Sequence, residues 1–198
     1  MSALPLWATD PYSLLLAQEQ YDALPEEVRR SIEVLDGVVV LCRSGIRRHD
    51  QVRRRLANLI EAALPEDSCL EVVAGHEMHF SKRRFDDGRL SFRRPDVAVH
   101  RRLDRHSKLT AADVVMVAEI VPPGFQYVAP VDKKAEYAYE GIPLYLIVYL
   151  DDDLFVDIVQ EYRLDWASRS YRLAETHRKE LVLDQPLPVT IPFKDLDG

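Results

Sequence analysis

Val114-Val115-Met116-Val117-Ala118-Glu119-Ile120-Val121, stopped by Pro122-Pro123-Gly124, is the most apolar run of the chain and carries one charge near its end. A strand that is hydrophobic on both faces belongs in the middle of a sheet covered on both sides, because a half-exposed strand alternates apolar with polar residues. In such a strand Glu119 shares a face with Val117 and Val121 and emerges where the chain leaves the sheet. A carboxylate at that place is either an ordinary polar strand end or one member of a site.

The segments on either side supply candidates for the rest of such a site. Upstream, Pro95-Asp96-Val97-Ala98-Val99 opens another apolar strand on Asp96. Downstream, residues 133–140 read as a short helix closed by Gly141, and residues 143–150 as a further buried strand. If the strands bearing Asp96 and Glu119 are antiparallel neighbours, the start of one abuts the end of the other. Their carboxylates then converge on a hard cation, Mg2+ or Mn2+, with the backbone carbonyl of Ile120 as a further ligand. Lys133, fourteen residues after Glu119, can return over the same edge and steady the anionic transition state of phosphodiester hydrolysis.

Further out, residues 1–30 contain two weak helical patterns and form an N-terminal helical arm, with residues 31–198 as a single domain. Residues 32–42 form a hairpin about Asp36-Gly37, a pair that tolerates the positive φ values of a tight primed turn, and Glu33 lies on its first strand. Residues 49–64 carry apolar side chains at Val52, Leu56, Leu59, Ile60 and Ala63, a helical period ended by Pro65. Residues 69–80 read as one long strand, 81–90 as a charged loop around Asp87-Gly88, and 101–108 as a basic loop. Residues 154–162, 170–174, 180–183 and 187–191 complete an antiparallel C-terminal extension. The fold class is therefore α/β in the broad sense, α+β: a mixed central β-sheet flanked by helices.

With 198 residues, 47% of them hydrophobic, and only 7 Gly, the chain can bury a full core. It has no apolar run of about 20 residues, the length a membrane helix needs, and no basic stretch leading into an apolar one at its start, so no membrane partner and a cytoplasmic location are expected. Cys42 and Cys69 are far apart and read as free, buried thiols. The net charge of -7 conceals an asymmetry: residues 43–108 hold 16 of the 26 Lys and Arg but 10 of the 33 Asp and Glu, giving +6 against -13 elsewhere. A basic segment of this kind can meet a phosphate backbone, or it can be a solvated surface.

Several of these stretches together resemble the Uma2 (DUF820-like) putative restriction endonucleases, a branch of the PD-(D/E)XK nuclease superfamily. The likeness runs through Glu33-Val34-Leu35-Asp36-Gly37, the helix opening at His49, Phe92-Arg93-Arg94-Pro95-Asp96-Val97, Val117-Ala118-Glu119-Ile120-Val121 with Pro123-Gly124, and Lys133 before Tyr137-Ala138-Tyr139-Glu140-Gly141-Ile142-Pro143. It implies a restriction-endonuclease-like core, DNA as substrate, and Asp96 and Glu119 as ligands of Mg2+ or Mn2+. It also implies Lys133 as a catalytic lysine moved onto the helix, because Val121 stands where the standard superfamily pattern has lysine. By the same resemblance Glu33 is an auxiliary acid and His49 a pocket residue. Arg47, Arg48, Arg93 and Arg94, from the basic segment, together with His49, are then expected to guide nucleic acid, with two copies acting as a homodimer.

Two positions depart from the family pattern: Pro122 stands where the family usually has serine, and Ala129 where it usually has aspartate. They leave a second reading open, a catalytically silent nuclease-fold module that binds nucleic acid or protein. At single residues, Glu33 and His49 also read as plain strand and helix residues, and Lys134 competes with Lys133. Helical phase, shared by Lys133, Tyr137 and Glu140, favours Lys133. His76 and His79, three apart in a strand, fall on opposite faces and are assigned no metal, while Trp7 and Trp166 read as packing residues.

Overall fold

The computed structural model describes residues 14–42, 46–80, 82, 89–124 and 129–198. Trp7 and most of the charged loop at 81–90 lie outside them. Two short helices, α1 (Gln18–Asp22) and α2 (Glu26–Arg30), lead into a hairpin of β1 (Ile32–Leu35) and β2 (Val38–Leu41). Its turn has positive φ at both Asp36 (50°) and Gly37 (83°), the geometry that Asp-Gly permits. A Cβ on Gly37 would also meet Leu15 at 2.9 Å, so the arm closes over this turn.

Helix α3 (Arg47–Ala63) follows, and buries Val52, Leu56, Ala57 and Ile60 along one stripe, as its period predicts. The stretch read as one long strand at 69–80 is instead two, β3 (Leu70–Ala74) and β4 (Met78–His79). Gly75, at φ 59°, takes a left-handed conformation between them that few residues other than glycine adopt readily. The break sends β3 and β4 into different sheets.

The remaining elements are β5 (Phe92–Arg93), β6 (Val97–Arg101), β7 (Val114–Val121), α4 (Ala129–Glu140), β8 (Leu144–Leu150), β9 (Val156–Asp165), β10 (Ser170–His177), β11 (Glu180–Leu183), β12 (Val189–Pro192) and α5 (Phe193–Asp197). The main sheet has six strands in the order β10-β9-β8-β7-β6-β3, with β7 inside it as its apolar faces require. Among the described strands of this sheet only β7 and β8 are parallel, and α4 is the crossover between them. The antiparallel tail does not form a separate layer, since β9 and β10 extend this sheet while β11 and β12 pair apart.

Alternate residues of β7 feed two cores. Met116, Ala118 and Ile120 face α3, α5 and the β11–β12 hairpin, whereas Val117 and Val121 face Tyr137, Tyr145 and Ile147. Glu119 shares the second face by strand alternation, which sets it under α4. A second, four-stranded sheet of order β2-β1-β5-β4 carries Glu33 and Arg93 up to the same place.

Some side chains depart from the sequence expectations. Cys69 is exposed and Cys42 only partly buried, because β3 begins at Leu70, beyond Cys69, and Cys42 lies past the end of an edge strand. Trp166 is exposed in the turn between β9 and β10.

Candidate active site

Strands β6 and β7 run antiparallel with Val97 opposite Ala118, so Asp96, just before β6, falls beside Glu119. Both side chains are buried. Asp96 Oδ2 accepts the Ile120 backbone N–H at 2.8 Å and lies 3.1 Å from His49 Nε2, a contact that puts the start of α3 against the end of the sheet. Both described hydrogen bonds to the Asp96 side chain reach Oδ2.

Lys133 Nζ donates to both oxygens of Glu119 at 2.9 Å, and Tyr137 OH donates to Glu119 Oε1 at 2.7 Å. The two donors sit one helical turn apart on α4, so a single face of the crossover helix covers the carboxylate. Lys134 points elsewhere, its Nζ 3.4 Å from the centre of the Tyr162 ring, so Lys133 is the lysine of the centre.

Glu33 is buried rather than facing solvent. Its Oε1 accepts the Arg94 backbone N–H at 2.7 Å and lies 3.6 Å from Lys133 Nζ, while Oε2 accepts from Arg93 Nη1 at 2.9 Å. The remaining Arg93 donors, Nε and Nη2, each meet an oxygen of Glu136 at 2.7 Å.

The electrostatics follow from crowding three carboxylates around one ammonium. Burial pushes the Glu119 carboxyl up to about 7; Lys133 opposes the rise, and Asp96 and Glu33 add to it. Burial alone would lower Lys133, yet Glu119, Glu33 and Asp96 outweigh it and raise its affinity for a proton. Lys133 therefore stays charged, and the shortage of positive charge falls on Glu119. Burial likewise disfavours protonated His49, but its hydrogen bond to Asp96 prevails and raises it.

Carboxylate oxygens are the donor type that a hard divalent cation takes. Within the linked network the four acids Asp96, Glu119, Glu33 and Glu136, if all ionised, face Lys133, Arg93 and a protonated His49 and leave -1, an excess that the raised Glu119 carboxyl relieves in the absence of a cation by holding a proton. A buried excess of that size calls for compensation. Among the described residues, the group that brings three ligand atoms within 4.8 Å of one another lies instead on β9 and β10: Glu161, Glu175 and His177. There Glu161 is already held by Arg163 at 2.6 Å and by His177 at 3.2 Å.

Of the arginines expected to face nucleic acid, only Arg47 is exposed. Arg93 is buried between Glu33 and Glu136, and Arg94 Nη2 is bonded to Glu77 at 2.7 Å, Tyr21 at 3.0 Å and the Arg29 carbonyl at 2.8 Å. Arg48 holds the C-terminal helix through Asp197 at 2.9 Å and the Leu154 carbonyl at 2.9 Å. Their guanidinium groups point at internal acceptors rather than outward. Glu136 and Tyr137 were not singled out from sequence as site residues, although their spacing of three and four from Lys133 marks one helical face.

A mixed sheet whose inner antiparallel strands meet in two carboxylates, under a crossover helix bearing a lysine, defines an α+β protein of the nuclease-fold class. Its fold is similar to that of a crystal structure of a putative nuclease belonging to DUF820 from Anabaena variabilis, with a TM-score of 0.63 at 14% identity, over 91% of this chain and 97% of that one. The chain belongs to the Uma2 family, described as putative restriction endonuclease, whose model matches residues 18–193. No curated protein matches it.

Proposed function

We propose that this protein is a divalent-metal-dependent endonuclease that hydrolyses DNA phosphodiester bonds at Asp96, Glu119 and Lys133. The observation that carries this reading is the buried carboxylate pair, which the neighbouring cations do not let ionise fully, set beside a lysine that stays protonated. Asp96 and Glu119 would hold Mg2+ or Mn2+, with the Ile120 carbonyl as a further ligand. Such an ion, when bound, supplies Lewis acidity to the scissile phosphate and to the attacking water.

The chain's own residues do the rest. Lys133 donates to the phosphate oxygen on which charge develops. His49 and the Ile120 N–H orient Asp96, and Tyr137 orients Glu119. Glu33 is the auxiliary acid, keeping a second negative charge near the ammonium. DNA contact falls to Arg47 and to Arg54, which lies seven residues further along the same exposed face of α3. Their helix begins at the site through His49.

Supercoiled plasmid incubated with Mn2+ or Mg2+ tests the reading. Cleavage is expected, removed by chelation and lowered at least about 100-fold by Glu119→Ala or Asp96→Ala. Undiminished cutting by those variants overturns it. No cutting together with no Mn2+ binding leaves the silent nuclease-fold module as the better account. Two copies acting together would serve the two strands of a duplex, and the exposed apolar edge strand β2, with Val38, Val39 and Leu41 outward, suits pairing with a second copy. Sedimentation should give twice the chain mass; a monomer at micromolar concentration removes the dimer from the proposal.

A further inference from the structure

One buried guanidinium joins three elements around the lysine without touching the carboxylates that would bind metal. Arg93, on β5, opens in two directions. Its Nε and Nη2 form a fork on Glu136 at 2.7 Å each, and Nη1 donates to Glu33 on β1 at 2.9 Å. Glu136 stands three residues beyond Lys133 on α4, on the same face. Glu33 is the second carboxylate beside Lys133 Nζ, at 3.6 Å, after Glu119 at 2.9 Å.

We propose that Arg93 is a positioning residue for Lys133. The fork on Glu136 fixes the rotation of α4 against β5, and the bond to Glu33 fixes the second carboxylate beside the lysine. Both ends of the placement of the ammonium, its helix and its neighbouring acceptor, are thus set by one planar group. Only arginine provides this, because its donors are rigidly arranged for two carboxylates at once, whereas lysine offers a single flexible point charge. Burying such ions is costly, and apolar residues of similar volume often serve stability as well or better. The arrangement is therefore better explained by geometry imposed on Lys133 than by stability.

The catalytic arm of the test rests on the hydrolytic reading above; the labelling arm does not. Arg93→Lys, Glu136→Gln and the paired Arg93→Met/Glu136→Met are compared with wild type in three measurements. These are the melting midpoint, the rate at which an amine-reactive acetylating reagent modifies Lys133 in the metal-free protein, and kcat and KM on plasmid. Labelling is read by peptide mass spectrometry against the exposed Lys179 and Lys194. The expected result is Lys133 labelling at least fivefold faster relative to those controls, with kcat at least tenfold lower and KM within twofold. This includes the paired variant, in which an apolar pair fills the space of the ion pair. Unchanged relative labelling in a folded variant overturns the proposal, as does a uniform rise at every lysine, which reports unfolding. Recovery of wild-type kcat in the paired variant also overturns it. A wild-type protein that cuts nothing defeats the hydrolytic reading alone, and the labelling ratio still decides the role of Arg93.

Discussion

The Tyr137 hydroxyl donates to Glu119 Oε1 at 2.7 Å, and burial holds the phenol far above its ordinary pKa, so it remains a donor at any working pH. Tyr137→Phe removes that donor and leaves Glu119 oriented by Lys133 alone. Outer partners of metal-binding carboxylates typically contribute tenfold or more to affinity, so Mn2+ binding by titration calorimetry should weaken about tenfold. The unfolding free energy from urea titration should fall by about 1 kcal/mol, the usual net cost of one hydrogen bond. Unchanged Mn2+ affinity would make the contact a packing detail. The residues of this centre differed in how well the sequence disclosed them. Asp96 and Glu119 stood out because each is a charge in an apolar strand, and Lys133 because helical phase separated it from Lys134. Arg93 and Arg94 misled for the opposite reason. A linear sequence displays their charge but not the carboxylates Glu33, Glu136 and Glu77 that fold back to meet them from up to 60 residues away. Ala129 looked like a loss of support for Lys133, while the acids that reach it, Glu119 and Glu33, lie on strands distant in sequence.

Among the elements, α3 was legible almost to its ends, because its buried stripe repeats with the helical period and Pro65 follows. The hairpin was equally plain from Asp36-Gly37. The stretch at 69–80 was not, since both of its halves are strand-like and only Gly75 hints at the turn between them. That turn matters to the site, for it leaves β3 in the main sheet and carries β4 across to pair with β5, beside Arg93. Helix α3 also bears the prediction at this scale. Arg47 and Arg54 lie exposed on one face, with no ion pair among the described residues, whereas Arg53 is held by Asp50 at 3.1 Å. If α3 lies along the DNA, Arg47→Gln/Arg54→Gln removes two phosphate contacts. The slope of log K against log salt should become shallower by about 1 to 2. Fluorescence anisotropy with a labelled duplex across salt concentrations measures it, and an unaltered slope takes α3 out of the interface.

At the scale of the whole molecule, the second sheet was the largest feature hidden from the sequence, because β4 and β5 are two-residue strands with no periodicity to read. It is joined to the N-terminal arm by a polar knot. Tyr21 is buried against Phe92, its hydroxyl bonded to Glu77, while Arg94 bonds Glu77, Tyr21 and the Arg29 carbonyl together. Burial favours the neutral Glu77 carboxyl, but hydrogen bonds from His79 and Tyr21 and the charge of Arg94 outweigh it and lower its pKa from 4.5 to about 2. A carboxyl depressed in the folded state stabilises the fold above its unfolded value, and that contribution is lost as pH falls through the folded one. The knot should therefore act in full at pH 6 and fade between about 4.5 and 2. Glu77→Gln should lower stability at pH 6 by on the order of 2 kcal/mol, allowing for solvent screening at a partly exposed group. The gap from wild type should then shrink steadily in urea titrations at pH 4, 3 and 2, although other carboxyls titrate in both proteins and lower both curves together. A gap that stays constant with pH would show that Glu77 acts through packing rather than charge. A lost gap accompanied by faster proteolysis before Ile32 would locate the loosening in the arm, where Tyr21 and the Arg29 carbonyl lose the acid that gathers them.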